Sequence, residues 1–299
     1  MRITLTGATG FIGSRLVHRW LEAGHQLHVL GRKPGKLPAA VHFWEWAEPA
    51  QTSPPLESLE GSDAVINLAG EPVAQRWDSA VKQRIRSSRV QGTSRLVDAL
   101  RDLRRPPPIL VSASAVGYYG SRGDEVLTEA SAPGQGFLPD VCKEWEQQAQ
   151  QAVALGLRVV CFRIGIVLGT ESGALPQMLL PFRLGVGGRL GSGKQWMPWI
   201  HVDDIVGLMD FAVKTATMHG PLNACSPNPV TNADFSKELG RVLHRPALLP
   251  VPEFSIRLLF GEMAQVVLAS DRALPKVALG AGYEFHYPEL PAALTNLLC

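Results

Sequence analysis

No uncharged apolar run in this 299-residue sequence approaches the ~20 residues that a membrane-spanning helix needs. Nor is there an excess of charge of either sign. The formal net charge is +2, which removes the usual grounds for a nucleic-acid partner or an anionic membrane surface. Cysteine is scarce and scattered: Cys142, Cys161, Cys225 and Cys299 form no Cys-x-x-Cys pair and have no His at metal-ligand spacing, so neither a metal site nor a disulfide framework is expected. Reduced thiols and an N-terminus without a signal-peptide core point to a cytoplasmic protein. Internal repeats and low-complexity tracts are also missing. What remains is ordinary globular composition, 45% apolar and 19% charged, with length enough for a large domain and a smaller one.

Strand-like and helix-like segments alternate from the first residues. Ile3 to Thr6 is a short β-branched run ending at Gly7, and Phe11 to Ala23 has helical periodicity and stops at Gly24. Strands are expected at 26–30, 41–46, 64–69, 109–114 and 158–163, and helices at 79–102 and 143–155. Continuous apolar strands alternating with helices predict an α/β fold, a Rossmann-type doubly wound parallel sheet covered on both faces. After about Gly169 the pattern changes to frequent Gly and Pro. The expected division is a nucleotide-binding domain over 1–168, with 197–225 returning to it, and a smaller, partly discontinuous substrate domain from 169–196 and 226–299.

The turn Gly7-Ala8-Thr9-Gly10-Phe11-Ile12-Gly13 carries the first functional signal. In such a turn the first glycine allows a sharp bend, the second lets backbone approach a pyrophosphate, and the third lets helix and strand pack closely. The helix start then offers free N–H groups and a positive dipole end. Spacing alone is weak, but here a strand precedes and an amphipathic helix follows, the context that dinucleotide binding requires. The end of the second strand selects the cofactor. An NAD site places an acid there to bind the ribose 2′-hydroxyl, whereas this chain has Gly31-Arg32-Lys33. A guanidinium can clamp a 2′-phosphate that a carboxylate would repel, so NADP(H) is expected; a solvated basic turn is the alternative.

Four segments, Gly7-x-x-Gly10-x-x-Gly13, Asn67-Leu68-Ala69-Gly70, Val111-Ser112-Ala113-Ser114 and Trp199-Ile200-His201-Val202-Asp203-Asp204, resemble the extended short-chain dehydrogenase/reductases over residues 1 to about 240. Further segments carry a closer resemblance: Asn67 to Pro72, Gly117-Tyr118-Tyr119-Gly120, Met178 to Gly185, Pro198 to His201, His244-Arg245-Pro246 and Arg272 to Lys276. They resemble an atypical branch of the NAD(P)-dependent epimerase family, of unknown substrate, together with that branch's C-terminal domain of unknown function. This resemblance implies that Leu68, Ala69 and Gly70 pass along the adenosine-side ribose and pyrophosphate and that Ile164 approaches the nicotinamide. It places Arg89 either at a phosphate or, beside Arg84, Arg86 and Arg95, on a solvated helix face. Related folds also suggest a homodimer.

The same resemblance exposes an absence. Short-chain dehydrogenases move protons with a Tyr made acidic by a Lys four residues on, helped by a Ser after the preceding strand. Ser114 matches that Ser. None of Tyr118, Tyr119, Tyr283 and Tyr287 has a Lys four residues later. Anchored on Glu146, the motif puts Cys142 at the lysine position and Leu138 at the tyrosine position. Substitutes are Asp140, Cys142 or Lys143 on the same helix, Tyr118 from the loop beside Ser114, and His201. Each also has a structural reading: Asp140 as a helix N-cap, Cys142 as a small buried residue, Tyr118 as loop packing. Gly188 to Lys194 superficially fits a phosphate loop, but Gln195 stands where its Mg²⁺-binding hydroxyl belongs. The stretch reads instead as a flexible flap, with Lys194 available to an anion and Trp196 and Trp199 lining a ligand cavity. Two functions follow from these residues. One is an NADP(H)-dependent oxidoreductase or epimerase acting on a small molecule. The other is a catalytically silent NADPH-binding redox sensor or regulator.

Overall fold

In the computed structural model, which describes residues 1–299, the expected alternation becomes a single main sheet. In chain order the first half runs β1 (Arg2–Thr6), α1 (Phe11–Glu22), β2 (Gln26–Gly31), β3 (His42–Glu45), β4 (Ala64–Asn67), α2 (Ser79–Arg101), β5 (Ile109–Ala115), β6 (Val126–Leu127), α3 (Phe137–Gln150) and β7 (Arg158–Ile164). The second half adds β8 (Ile166–Leu168), α4 (Ala174–Arg183), β9 (Trp196–Met197), β10 (Trp199–His201), α5 (Val202–Lys214), β11 (Gly220–Ala224), β12 (Val230–Thr231) and α6 (Asn232–Val242). It ends with α7 (Glu253–Phe260), α8 (Ala264–Val267), β13 (Arg272–Ala273), α9 (Lys276–Gly280) and α10 (Leu290–Leu298). No helix is long and apolar enough to cross a membrane.

Seven strands pair in parallel in the order β11-β7-β5-β4-β1-β2-β3. The order reverses between β1 and β4, and open α/β sheets receive ligands at such a switch point, in the crevice beyond the strands' C-terminal ends. Apolar cores fill both faces. Leu16, Val17 and Trp20 of α1 and Ile205, Leu208 and Met209 of α5 cover one face. Leu96, Val97 and Leu100 of α2 with Ala149 of α3 cover the other. A third cluster joins Leu168, Leu179 and Trp199 to Phe235, Leu239 and Leu294. It packs the β10–β8 and β12–β9 ladders together with α6 and α10.

Two of the shifted element boundaries have a plain physical cause. β4 ends at Asn67 rather than Ala69, where the next backbone N–H groups turn from the ladder toward a side chain, Leu68 N being shared with the Thr6 carbonyl at 3.3 Å. Leu68 N and Ala69 N donate to the Thr6 hydroxyl at 3.1 and 3.0 Å, and that hydroxyl donates to Asn67 Oδ1 at 2.8 Å. Helix α3 begins at Phe137, six residues before the expected Lys143, with Gly136 at its N-cap in a left-handed backbone (φ 109°). Pro139 sits in that first turn, where a proline is tolerated because its missing N–H has no intrahelical partner to lose.

Candidate functional site

The glycine turn sits at the crevice as a close-packed backbone cradle. Gly7 has φ 73°, and a Cβ there would stand 2.7 Å from the Leu68 carbonyl carbon. A Cβ on Gly13 would stand 2.2 Å from Gly7 O, so any side chain at either position displaces backbone. Gly10 caps α1 without a side-chain bond, and the first turn carries no acid. The N–H groups of Phe11, Ile12 and Gly13 are therefore left to a ligand, the arrangement that suits an anion. The Phe11 ring is used elsewhere, packed against Gly169 and Gly173. Arg15 ties that loop to α1 by bonding Glu171 at 2.9 Å through Nε. Leu68, Ala69 and Gly70 line the neighbouring wall, held against the turn by Thr6.

Gly31 ends β2, and Arg32 and Lys33 follow, both exposed. Beyond them the chain folds back over the turn: Thr9 Cγ2 lies 3.2 Å from where a Cβ of Gly35 would be. This brings Lys36, which the sequence reading passed over, into a cavity of about 250 Å³ with Thr9, Ser14 and His18. The signal was a third cation three residues after Lys33; only the fold-back gave it a neighbour.

Arg89 does not lie on a solvated helix face. It turns inward over the Trp145 ring, 5.1 Å from its centre, and Nη1 donates to Glu71 O at 2.9 Å and Ile85 O at 3.2 Å. Its guanidinium carbon sits 3.0 Å from where a Cβ of Gly70 would be. Burial pulls its pKa down, opposed by Cys142 and Glu71. Ile164 is half-buried at the end of β7, paired between Ala115 and Ala224.

Ser114 is buried and committed. Its hydroxyl donates to Glu146 Oε1 at 2.7 Å. Glu146 in turn holds Arg163 in a fork, Nε to Oε1 and Nη2 to Oε2, both at 2.8 Å. Arg163 Nη1 donates to the Tyr119 hydroxyl at 2.9 Å, and the guanidinium carbon lies 3.5 Å from the centre of the Tyr118 ring. Burial alone would lower the Arg163 pKa, but the bonds to Glu146 raise it above the usual range. Burial pushes the Tyr119 phenol up to about 12. The exchange of partners across β5, α3 and β7 explains why the sequence motif stops short: Ser114 meets a carboxylate where the motif expects a phenol.

Of the substitutes, three do not face this centre as reactive groups and a fourth is fixed as a cap. Asp140 is exposed in the first turn of α3, and Gly136, not Asp140, is the N-cap. Lys143 is exposed on the outer face. Cys142 is 3% exposed, and burial pushes its thiol up to about 12, leaving no thiolate at neutral pH. His201 caps α5, accepting from Asp203 N at 3.1 Å. Its other ring nitrogen lies 3.1 Å from Asn296 Oδ1. Burial lowers its pKa against the pull of Asp203 and Asp204, so the ring is held as a neutral cap.

The glycine-rich segment is not a free flap. Gly191 N donates to Val251 O and Val251 N to Arg189 O, and Gly187 and Gly188 are pressed against Phe182 and Leu249. Backbone bonds to the C-terminal segment, invisible in local composition, fasten it. Lys194 lines a polar cavity of about 360 Å³ with Asp124, Gln195, Glu253 and Arg257. Trp199 is 0% exposed and donates to Asn228 O; it is core, not cavity wall. Trp196 is half-buried, bonded to Asp124 at 2.9 Å and stacked under Arg272.

Beside Trp196, Asp271 is buried with Oδ1 unpartnered, and burial pushes its carboxyl up to about 7. The folded state therefore holds a proton that the unfolded chain releases near 3.8. Stability falls as pH rises from about 4 to about 7 and stays reduced above that. Asp271→Asn is expected to raise stability at pH 8 by about 1–2 kcal/mol and leave it unchanged at pH 4. A full pKa unit corresponds to about 1.4 kcal/mol, and the amide inherits part of the unmet hydrogen bonding. Urea unfolding at the two pH values measures this; equal effects at both would refute it.

Residues 3–224 match the NAD dependent epimerase/dehydratase family, and residues 251–297 match a domain of unknown function, DUF1731. Among curated relatives, the chloroplastic epimerase family protein SDR39U1 homolog of Arabidopsis thaliana is 41% identical over all of this chain and 87% of its own length. The epimerase family protein YfhF of Bacillus subtilis is 38% identical over all of this chain and 98% of its own length. Among solved structures, human epimerase family protein SDR39U1, crystallised with NADPH, superposes with a TM-score of 0.88 at 34% identity over 99% of both chains.

Proposed function

Because this chain belongs to the NAD dependent epimerase/dehydratase family, in the branch with the C-terminal domain of unknown function, we propose that it binds NADPH across the β1/β4 crevice and acts with it as an oxidoreductase on a small molecule. The observation that carries this reading is the cradle itself: at Gly7 and Gly13 a Cβ would collide with backbone, while the uncapped start of α1 keeps its N–H groups open. That donor set fits a pyrophosphate. The related human protein crystallised with NADPH adds support.

In this reading the N–H groups of Phe11, Ile12 and Gly13 hold the pyrophosphate. Arg32, with Lys33 and Lys36 beside it, holds the 2′-phosphate. Leu68 to Gly70 form the wall along the ribose, and Arg89 faces that wall with Nε and Nη2 free of protein acceptors. Ile164 packs at the nicotinamide end. When bound, the reduced nicotinamide supplies hydride; the chain supplies position and charge.

A second reading, a silent NADPH-binding sensor, rests on Leu138 and Cys142 standing at the positions of the proton-transfer pair. Calorimetry with NADPH, followed by absorbance of the reduced nicotinamide across carbonyl compounds and sugar nucleotides, separates the two. Tight binding with turnover of at least one class is the expected result. Tight binding with no oxidation by any class selects the sensor, and failure to bind NADPH refutes both.

A further inference from the structure

The centre at the end of β5 and β7 lacks a proton-transfer pair on α3, yet it contains a phenol and a cation in contact. We propose that Tyr118 is the proton donor of this site, that Arg163 is its positioning cation, and that the substrate is a carbonyl compound. The proposal rests on the NADPH-dependent reading above.

Tyr118 arrives from the strand-end turn, Val116–Tyr118, and not from the helix. That turn lies against the very position where the phenol is missing: a Cβ on Gly117 would stand 3.5 Å from Leu138 Cδ1. The turn is rigid. Gly134 N donates to Tyr118 O at 2.9 Å, and Gly134 crosses so closely that a Cβ on it would stand 2.2 Å from Tyr119 O. The Tyr118 ring rests on a guanidinium that Glu146 holds flat by two bonds, and Ser114 shares the same carboxylate. The remaining tyrosines are placed for other work. Tyr119 is fully buried and bonded to Asn223 Oδ1 at 2.7 Å. Tyr283 donates to Asp204 O. Tyr287 stacks on His201 at the start of α5. The half-buried Tyr118 ring is bonded to the protein only through its backbone.

The chemistry balances as a reduction. The carbonyl carbon gains hydride from NADPH, forming a C–H bond. The C=O π pair moves onto oxygen, which takes the Tyr118 proton, and NADP⁺ and an alcohol result. Water then reprotonates the phenolate. A cation stacked on the ring stabilises the negative charge that develops during proton donation, the service that an ammonium would have given from α3.

The test uses the full chain, with NADP⁺ binding verified by calorimetry. Tetranitromethane nitration, read residue by residue by mass spectrometry, is expected to modify Tyr118 fastest and to slow there at least tenfold under saturating NADP⁺. Tyr118→Phe, which keeps a ring on Arg163, is expected to bind NADPH as the wild type does while kcat for probe aldehydes and α-dicarbonyls falls at least about a hundredfold, the usual share of a general acid. Unchanged Tyr118 nitration with NADP⁺ bound, or wild-type kcat in Tyr118→Phe, overturns the assignment. Failure of either nucleotide to bind, or binding with no reduction of any probe by the wild type, refutes the underlying NADPH-dependent oxidoreductase reading instead.

Discussion

Arg163→Ala is expected to lower folding stability by about 3–5 kcal/mol, because removing one partner leaves a buried charge without compensation. Arg163 is 3% exposed and the side chain of Glu146 only 12%. Deleting the guanidinium strips Glu146 of two hydrogen bonds, and Tyr119 of the donor to its hydroxyl. It also leaves a void beneath the Tyr118 ring. The pair itself is not the source of so large a number: two charges brought out of water gain little net energy together, and the cost lies in the one left behind. A double replacement, Arg163→Met with Glu146→Leu, is therefore expected to recover most of the loss. Denaturant unfolding of the three proteins measures both effects. A loss under about 1 kcal/mol in Arg163→Ala would show that water already reaches Glu146 and would contradict the buried-pair account.

Arg32→Ala is expected to weaken NADPH binding by about 10- to 100-fold and leave NADH binding unchanged. A hydrogen bond to a charged group contributes about 1.5–3 kcal/mol net, and Arg32 stands exposed at the end of β2 with no neighbouring acid in the turn. Because Lys33 and Lys36 remain beside the site, some preference for NADPH should survive in Arg32→Ala and fall further in Arg32→Ala with Lys36→Ala. Calorimetric titrations with both nucleotides give the ratio directly. Equal affinity of the wild type for NADH and NADPH would end the 2′-phosphate assignment and return Arg32 to a solvated basic turn.

What was readable from sequence was local. The strand–turn–helix at Ile3 to Ala23 follows from apolar period and from glycines whose backbone no other residue can match, and the structure reproduces it within a residue or two. The buried parallel strands were legible as continuous apolar runs, and the missing Tyr and Lys as plain absence. Helix α3 was expected to start at Lys143, but its first turn, Phe137 to Asp140, carries a proline and follows a glycine, so local pattern does not mark it as helix. The tight mooring of Gly187 to Gly191 was misread as a flap because its partners, Leu249 and Val251, lie some sixty residues away in the chain.

The sequence by itself determined the sheet, the glycine cradle and the basic end of β2, since each depends on the properties of adjacent residues and on the backbone angles they permit. Tertiary structure alone decided the charges. It turned Arg89 inward onto Trp145, joined Ser114 to a carboxylate 32 positions away, and set Tyr118 on Arg163. A buried charge is satisfied by whatever group packing brings within hydrogen-bond reach, and no local pattern records which group that is.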